Sequence, residues 1–262
     1  MNYQTLDIEQ REAHVLLVTL NRPNALNALS TQMGRDLYEL WTRLAAGPGE
    51  TRCVILTGSG DKAFCAGADL KERDGMSQAD WQTQHELFER GFMALIECPL
   101  PVIAALNGHA FGGGLEMALA CDFIYASASA RFALPEVRLG IMPGGAGTQN
   151  LARAAGERRA KELILSGRQF TAEDGVAWGL FNAAFPSSTL LEKTVEVAQT
   201  ISANAPLSVR QAKKSIHYGL QMDLLTGYRF EIEAYNRLVD TDDRREGISA
   251  FNEKRKPAFT GR

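Results

Sequence analysis

Short apolar runs alternate with helical periodicity along the first half of the chain. Four of these runs are rich in β-branched residues and predict strands; they span residues 14–20, 53–57, 102–106 and 122–126. The run at 53–57 is almost wholly apolar, which is typical of a strand covered on both faces. Apolar residues at helical spacing predict helices at about 31–47 and 78–97. Repeated strand–loop–helix units of this kind indicate an α/β core.

The pattern changes in the second half of the chain. Strand signals nearly vanish after Ala146, and from Leu190 onward the pattern predicts only helices, broken at Pro206 and near Thr241. The terminal part has too little mixed pattern to form a core of its own. We therefore expect a core at residues 1–200 and a helical oligomerisation region at residues 201–262, packed on the core or on a neighbouring subunit.

Composition narrows the class of protein. The 262 residues are 45% hydrophobic and 23% charged, values that exclude a disordered chain. The formal net charge of -3 disfavours a polyanion-binding surface over the whole molecule and leaves a local basic patch open. The four cysteines lie far apart without a Cys-x-x-Cys pair, which favours a reducing compartment. No signal sequence and no apolar run of membrane-spanning length is visible. We expect a cytoplasmic protein without a membrane partner.

Two familiar kinds of site fit poorly. The turn from Gly58 to Ala63 formally matches G-x-G-x-x-A, but the residues that follow make a poor helix start, so a plain strand-end turn is favoured over a dinucleotide site. The four histidines are scattered, with no second histidine or cysteine four residues away. We therefore expect no metal site.

Two glycine-rich turns, at residues 63–71 and 107–116, each follow a predicted strand. Glycines can simply close tight turns. Three in a row at a helix start, at 112–114, are hard to justify by stability because each costs conformational entropy. They do allow a ligand to approach unpaired N–H groups at the positive end of a helix dipole. Such a place suits an oxygen that becomes negative during a reaction, as in an oxyanion hole.

Two acidic residues accompany these turns. Glu116 lies in the first predicted helical turn after the glycines, and Glu136 follows Pro135 ahead of another glycine-rich loop. Two carboxyl groups on rigid supports would allow general acid–base chemistry on one substrate. An alternative stays open, in which Glu116 caps a helix and Glu136 faces solvent.

With these motifs in order, the chain resembles the enoyl-CoA hydratase/isomerase (crotonase) superfamily along nearly its whole length. The matching segments are residues 21–29, 64–72, 107–122, 135–149 and 251–256. The resemblance implies an α/β fold, a crotonase-like spiral of repeated ββα units with a helical C-terminal trimerisation region. It also implies a homotrimer or a homohexamer built as a dimer of trimers.

The resemblance further implies an enzyme, a hydro-lyase that adds water to a 2-enoyl-CoA to give a 3-hydroxyacyl-CoA. It assigns the oxyanion hole to the amides of Ala68 and Gly113, the acid–base pair to Glu116 and Glu136, and the water site to the backbone of Gly144. Coenzyme A, as part of the substrate, is assigned to a larger set: Asn24, Ala25, Leu26, Ala68, Asp69, Leu70, Lys71, Phe251 and Lys254. No metal or redox cofactor is implied. The helix at 78–97 is expected to shape the acyl pocket.

Two departures from the family pattern leave alternatives. Asn24 replaces a common lysine, and Leu134 stands where the classical hydratases carry a glutamine, so less is expected to hold the carboxyl of Glu136. An isomerase of the same fold, with Glu136 as its main base, is one alternative. Another is a protein of the branch that hydrates methylglutaconyl-type thioesters, some members of which bind RNA. The acidic net charge does not favour a nucleic-acid partner.

Overall fold

Ten strands in residues 3–262, the part of the chain that the computed structural model describes, form two sheets. The larger sheet has six strands in the order β1 (Leu6–Glu12), β2 (Val15–Leu20), β3 (Cys53–Gly58), β5 (Val102–Leu106), β7 (Phe123–Ser127) and β10 (Ala183–Phe185). The smaller sheet has four, in the order β4 (Ala63–Cys65), β6 (His109–Phe111), β8 (Arg131–Ala133) and β9 (Phe170–Thr171). Residues 1 and 2, included in the predicted core 1–200, lie outside the described residues.

Eleven α-helices connect and cover the sheets within the same residues. They are α1 (Thr31–Ala46), α2 (Leu70–Arg73), α3 (Gln78–Ile96), α4 (Gly113–Leu119), α5 (Gly147–Ala155), α6 (Glu157–Ser166), α7 (Ala172–Ala177), α8 (Ser187–Ser202), α9 (Pro206–Gly219), α10 (Leu224–Asn236) and α11 (Asp242–Asn252). Two short 3₁₀ helices, Pro23–Ala25 and Glu136–Leu139, lie beside the glycine-rich turns.

The chain winds as a spiral in which each turn contributes one strand to each sheet. The pairs β3 and β4, β5 and β6, and β7 and β8 each place their first strand in the large sheet and their second in the small sheet. Strands β4, β6 and β8 pair in parallel, so they end at the same edge of the small sheet. The glycine-rich turns after β4 and β6 are therefore neighbours.

Strand β3 shows why the central strands are apolar throughout. All six of its residues are buried. Because side chains alternate between faces, Val54 and Leu56 pack into the main core, whereas Cys53 and Ile55 join a second cluster with residues of α8. The prediction of a strand covered on both faces is confirmed.

Several short elements escape the sequence pattern. The glycine-rich turn predicted at 63–71 begins with the three-residue strand β4, which is too short to show a period. Strand β1 was also missed, because it is an edge strand whose only buried residue is Leu6. In the helical region the predicted breaks at Pro206 and Thr241 occur where α9 and α11 begin. A further break, between α9 and α10, was not predicted.

Polar contacts link the C-terminal helix α9 to the core. The Nζ atom of Lys213 on α9 lies 2.7 Å from Oδ2 of Asp122 and donates to the carbonyl oxygen of Leu100. Helix α10, by contrast, exposes Leu224 and Leu225 by 85% and 68%. Within residues 3–262, none of the helices combines the length and apolar character needed to cross a bilayer.

Candidate active site

Two backbone amides face one pocket at the shared edge of the small sheet. Ala68 follows the turn after β4, and Gly113 is the first residue of α4, directly after β6. Both line the pocket, and neither amide donates a hydrogen bond to any group of residues 3–262. A helix has no internal acceptor for its first N–H groups, which accounts for the unpaired amide of Gly113. Two converging unpaired donors can hold an oxygen atom that gains negative charge.

Two of the three glycines at the start of α4 are required for different physical reasons. Gly112 has φ 52° and ψ −129°, a conformation open almost only to glycine, and a Cβ atom there would lie 3.1 Å from Oε1 of Glu136. A Cβ atom on Gly114 would lie 2.2 Å from the carbonyl oxygen of Cys65, so close packing excludes a side chain. Gly112 therefore leaves room for the carboxyl of Glu136, and Gly114 leaves room for strand β4.

Glu116, in the first turn of α4, is buried with only 4% of its surface exposed. Its Oε1 accepts hydrogen bonds from the amides of Gly145, at 2.7 Å, and Gly147, at 2.8 Å. Gly147 is the first residue of α5, so the carboxyl lies at the positive end of that helix. Burial raises the pKa of Glu116, and the amides of Gly147, Gly145 and Gly144 oppose this rise. These donors favour the ionised form, which is the form a general base needs.

Glu136 lies in a different environment, at the start of the 3₁₀ helix that follows β8. It is 8% exposed, and both of its carboxyl oxygens are buried without a hydrogen-bond partner in the described chain. Burial raises its pKa to about 7; a contact with its own amide opposes this rise, and the charge of Glu116 adds to it. A carboxyl group in such a setting holds a proton near neutral pH and can act as a general acid.

Both acids line the same pocket, whose volume is about 360 Å³. Helix α3 forms much of its wall, as expected of the helix at 78–97, with an aromatic and apolar surface and few polar groups. The wall residues contributed by α3 are Trp81, His85, Phe88, Glu89 and Phe92. The alternative in which Glu136 faces solvent is excluded. The other alternative, in which Glu116 caps a helix, is met in part, because its carboxyl accepts a hydrogen bond at the N-terminus of α5. Glu116 nevertheless lines the pocket.

Two of the segments assigned to coenzyme A by resemblance lie side by side, and the second of them lines the pocket. The amide of Ala66 donates to the carbonyl of Leu26, and that of Leu29 donates to the carbonyl of Gly67. Asp69 caps α2 through the amides of its next residues, among them Lys71, and Arg22 pairs with it at 2.9 Å. Asn24 and Ala25 belong to the 3₁₀ helix Pro23–Ala25, and Leu70 lines the pocket. These two segments therefore form one continuous surface.

The remaining two residues of that assignment lie elsewhere. Phe251, in α11, is 84% exposed, and neither it nor Lys254 lines the pocket. The structure of the single chain does not bring them to the acids or the amides.

Other candidates have no supporting geometry. Strand β3 leads through the turn at 58–60 into strand β4 rather than into a helix, so the dinucleotide fingerprint lacks its required context. Among residues 3–262, no three His, Cys, Asp or Glu side chains come together as metal ligands would. Sequence reasoning did not single out Arg73 and His85, which line the pocket. The only signal in the sequence was the expectation that the helix at 78–97, which contains His85, shapes the acyl pocket.

Comparison with known proteins assigns the family. The model of the enoyl-CoA hydratase/isomerase family matches residues 10–262. A Bacillus subtilis protein, provisionally described as the enoyl-CoA hydratase/isomerase YngF, is 47% identical over 251 residues and 96% of each chain. A short-chain-enoyl-CoA hydratase of Clostridium acetobutylicum is 40% identical over 249 residues and 95% of each chain.

The crystal structure of an enoyl-CoA hydratase from Bacillus anthracis is similar throughout. It has a TM-score of 0.97 and 43% sequence identity, and the match covers 99% of this chain and 100% of that chain. This similarity confirms the predicted crotonase-like α/β fold. The chain belongs to the enoyl-CoA hydratase/isomerase family and, as predicted, is an enzyme of the hydro-lyase type.

Proposed function

We propose that this protein adds water syn across the double bond of a 2-enoyl-CoA to give the 3-hydroxyacyl-CoA. One observation carries the proposal: two buried carboxyl groups with unequal hydrogen bonding, Glu116 and Glu136, share a pocket with two unpaired amides. The names of the relatives, among them a short-chain-enoyl-CoA hydratase, support the same reaction.

The amides of Ala68 and Gly113 bind the thioester oxygen and stabilise the negative charge that develops on it. Loss of one such donor typically costs about 10²–10³ in kcat. The polarised thioester makes the β-carbon electrophilic, so water can attack there. The product of this attack is an enolate held by the same two amides.

The two acids divide the proton transfers. Glu116, whose ionised form is stabilised by three backbone amides, takes a proton from the water as its oxygen bonds to the β-carbon. Glu136, whose pKa is about 7, gives its proton to the α-carbon of the enolate. Gly144, which lines the pocket and whose amide acts on Glu116, is assigned by the resemblance to hold that water. Proton exchange with solvent then restores the starting protonation of both acids.

This chemistry uses only groups of the chain, so the proposal includes no metal or redox cofactor, and coenzyme A takes part as a portion of the substrate. The joined segments at Asn24–Leu26 and Ala68–Lys71 would bind it. Phe251 and Lys254 could join them only from a neighbouring copy or after a movement of α11.

We further propose that residues 201–262 assemble the chain into a homotrimer or a dimer of trimers. Large apolar side chains exposed on α9 to α11, including Ile216, Leu224 and Phe251, support this role. The four cysteines are free thiols, which supports a reducing compartment, the cytoplasm.

The direct test is incubation of the purified protein with crotonyl-CoA. We expect loss of the absorbance of the conjugated thioester and a product heavier by one water. In parallel, a 3-enoyl-CoA tests the isomerase alternative. If the protein moves that double bond efficiently but does not hydrate crotonyl-CoA, the hydratase assignment is wrong.

A further inference from the structure

The proposed reaction leaves its two acids in exchanged protonation states after each turnover. Glu116 has then received a proton from the water, and Glu136 has given one to the α-carbon. The next turnover requires one proton to leave Glu116 and one to reach Glu136. The water that joined the two carboxyl groups has become part of the product, which occupies the pocket that both acids line. A route for the proton of Glu116 must therefore avoid the product.

An imidazole lies beside the loop that binds the carboxyl of Glu116. His85, on α3, lines the pocket, and its Cε1 would lie 3.3 Å from a Cβ atom placed on Gly144. Burial raises the pKa of Glu116, and three backbone amides, among them that of Gly144, oppose this rise together with a positive charge on His85. His85 is thus packed against the same short loop that holds the base.

The surroundings of His85 fix its orientation and its tautomer. Its Nε2 lies 3.2 Å from Oε1 of Glu89, one turn further along α3. Its ring stacks on that of Trp81, with the centroids 5.1 Å and the planes 18° apart. With Nε2–H directed at the carboxylate, Nδ1 carries the lone pair, and this nitrogen has no hydrogen-bond partner among residues 3–262. Nδ1 is therefore free to take up a proton.

The position of the pair also gives it access to solvent. The side chains of His85 and Glu89 are 36% and 57% exposed, so a proton taken up inside the pocket can be released to water from the same imidazole. The carboxylate stabilises the imidazolium while it carries the proton.

Among the described residues that line the pocket, no other ionisable group suits this task. Arg73 and Arg138 line it as well, but a guanidinium keeps its protons. Glu136 is the acid that must gain a proton in the same cycle. An imidazole, by contrast, is the side chain that ordinarily exchanges protons near neutral pH.

We propose that His85, held by Glu89, is a proton relay that returns Glu116 to its ionised state after each turnover. The inference rests on the proposed function, because it adds a step to the same reaction. Nδ1 of His85 receives the proton of Glu116 through one water molecule and then releases it to solvent. Solvent supplies the proton that Glu136 takes up, so the protons balance over the cycle.

Stopped-flow absorbance with crotonyl-CoA separates this relay from a structural role. The relay acts after the chemical step, so His85→Ala should keep the rate of the first turnover within about threefold, while kcat falls about tenfold or more. The variant should therefore show a burst of hydration equal to the enzyme concentration. Added imidazole should restore kcat in His85→Ala and have little effect on the unmodified protein.

A second variant tests the partner of the imidazole. Glu89→Gln keeps the shape of the side chain and removes the charge that stabilises the imidazolium, so kcat should fall by about threefold, as for an exposed ion pair. Two matched controls lie outside the pocket: the exposed Glu86→Gln on α3, and His217→Ala on α9. Both should keep kcat and show neither a burst nor an effect of imidazole.

Three outcomes would overturn the inference. An unchanged kcat in His85→Ala would do so while leaving the proposed hydration intact, because the proton would then return through water in the pocket. An equal loss of the first-turnover rate and kcat, or failure of imidazole to restore kcat, would assign His85 a structural role. Absence of hydration by the unmodified protein would overturn the proposed function along with the relay.

Discussion

Glu116 and Glu136 line one pocket and are both buried, but only Glu116 has hydrogen-bond donors. Its Oε1 lies 2.7 Å and 2.8 Å from the amides of Gly145 and Gly147, whereas neither oxygen of Glu136 has a partner among the described residues. Like chemical groups in unlike environments acquire different proton affinities. This difference supports the proposed roles of Glu116 as base and Glu136 as acid.

The pH dependence of hydration should report Glu136. A general acid acts only while protonated, and the pKa of Glu136 is about 7, so kcat/KM for crotonyl-CoA should fall as the pH rises through that value. The initial rate measured across the pH range should therefore show an alkaline limb, which Glu136→Gln removes together with most of the activity. The exposed Glu86→Gln serves as control and should keep the limb. A rate that stays constant up to about pH 9 would contradict the role of Glu136 as acid.

Folding stability should depend on the same group. Burial raises the pKa of Glu136 from 4.5 to about 7, so the folded protein holds this proton more tightly than the unfolded chain. The stability that the proton provides is fully present below the unfolded pKa and is lost as the pH rises through the folded pKa.

Glu136→Gln, which stays neutral, should therefore be more stable than the unmodified protein at about pH 8, by on the order of 3 kcal/mol, and nearly equal at about pH 4.5. Urea unfolding at both pH values measures the difference. The Glu86→Gln control should show no such pH dependence, and an equal gain at both pH values would point to packing instead of the proton.

The amide of Gly113 can be removed by proline. This residue is the first of α4, a position where proline is tolerated because the N–H has no helical acceptor. Gly113→Pro should lower kcat for crotonyl-CoA by about 10²–10³. Gly113→Ala retains the amide and meets only Cδ1 of Leu29, at 3.0 Å, so it should lose far less. With both folds verified by circular dichroism, similar rates in the two variants would remove this amide from the oxyanion hole.

Assembly should depend on the exposed apolar residues of α10. Leu225, 68% exposed, is expected to be covered by a neighbouring copy in solution. Leu225→Asp should shift the mass in size-exclusion chromatography with light scattering toward that of a single chain, 28.7 kDa. Thr200→Asp, an exposed change on α8, is the control and should leave the mass unchanged. A single-chain mass for the unmodified protein would contradict the proposed oligomer.

The sequence predicted the parts of the site that follow from backbone chemistry. The sequence indicated the glycines before α4 and the two acidic residues, Glu116 and Glu136, because a few residues are enough to define a helix start. The pattern did not predict that these groups meet in one pocket. Their meeting depends on the pairing of β4 with β6, which are strands of three residues each. Such strands have no measurable period, and only the family resemblance implied the spiral that aligns them.

The acyl pocket was harder to predict for a different reason. The periodicity of α3 indicates which of its faces is apolar, but it does not distinguish a core contact from a ligand contact. The pattern did not single out Arg73, because its environment is formed by the rings of Trp81 and Phe88, which belong to a different helix. The partners of Leu224 and Phe251 likewise depend on chains outside the single-chain structure.

The rate of crotonyl-CoA hydration in Glu116→Gln and Glu136→Gln tests the two-acid mechanism most directly. Each variant should lose at least about 10²-fold in kcat, and the double variant should lose little more, because the two groups act on one water and one proton path. Calorimetric binding of pentanoyl-CoA should remain, which shows that the pocket is intact. Wild-type rates in either variant would contradict the assignment of that glutamate to catalysis.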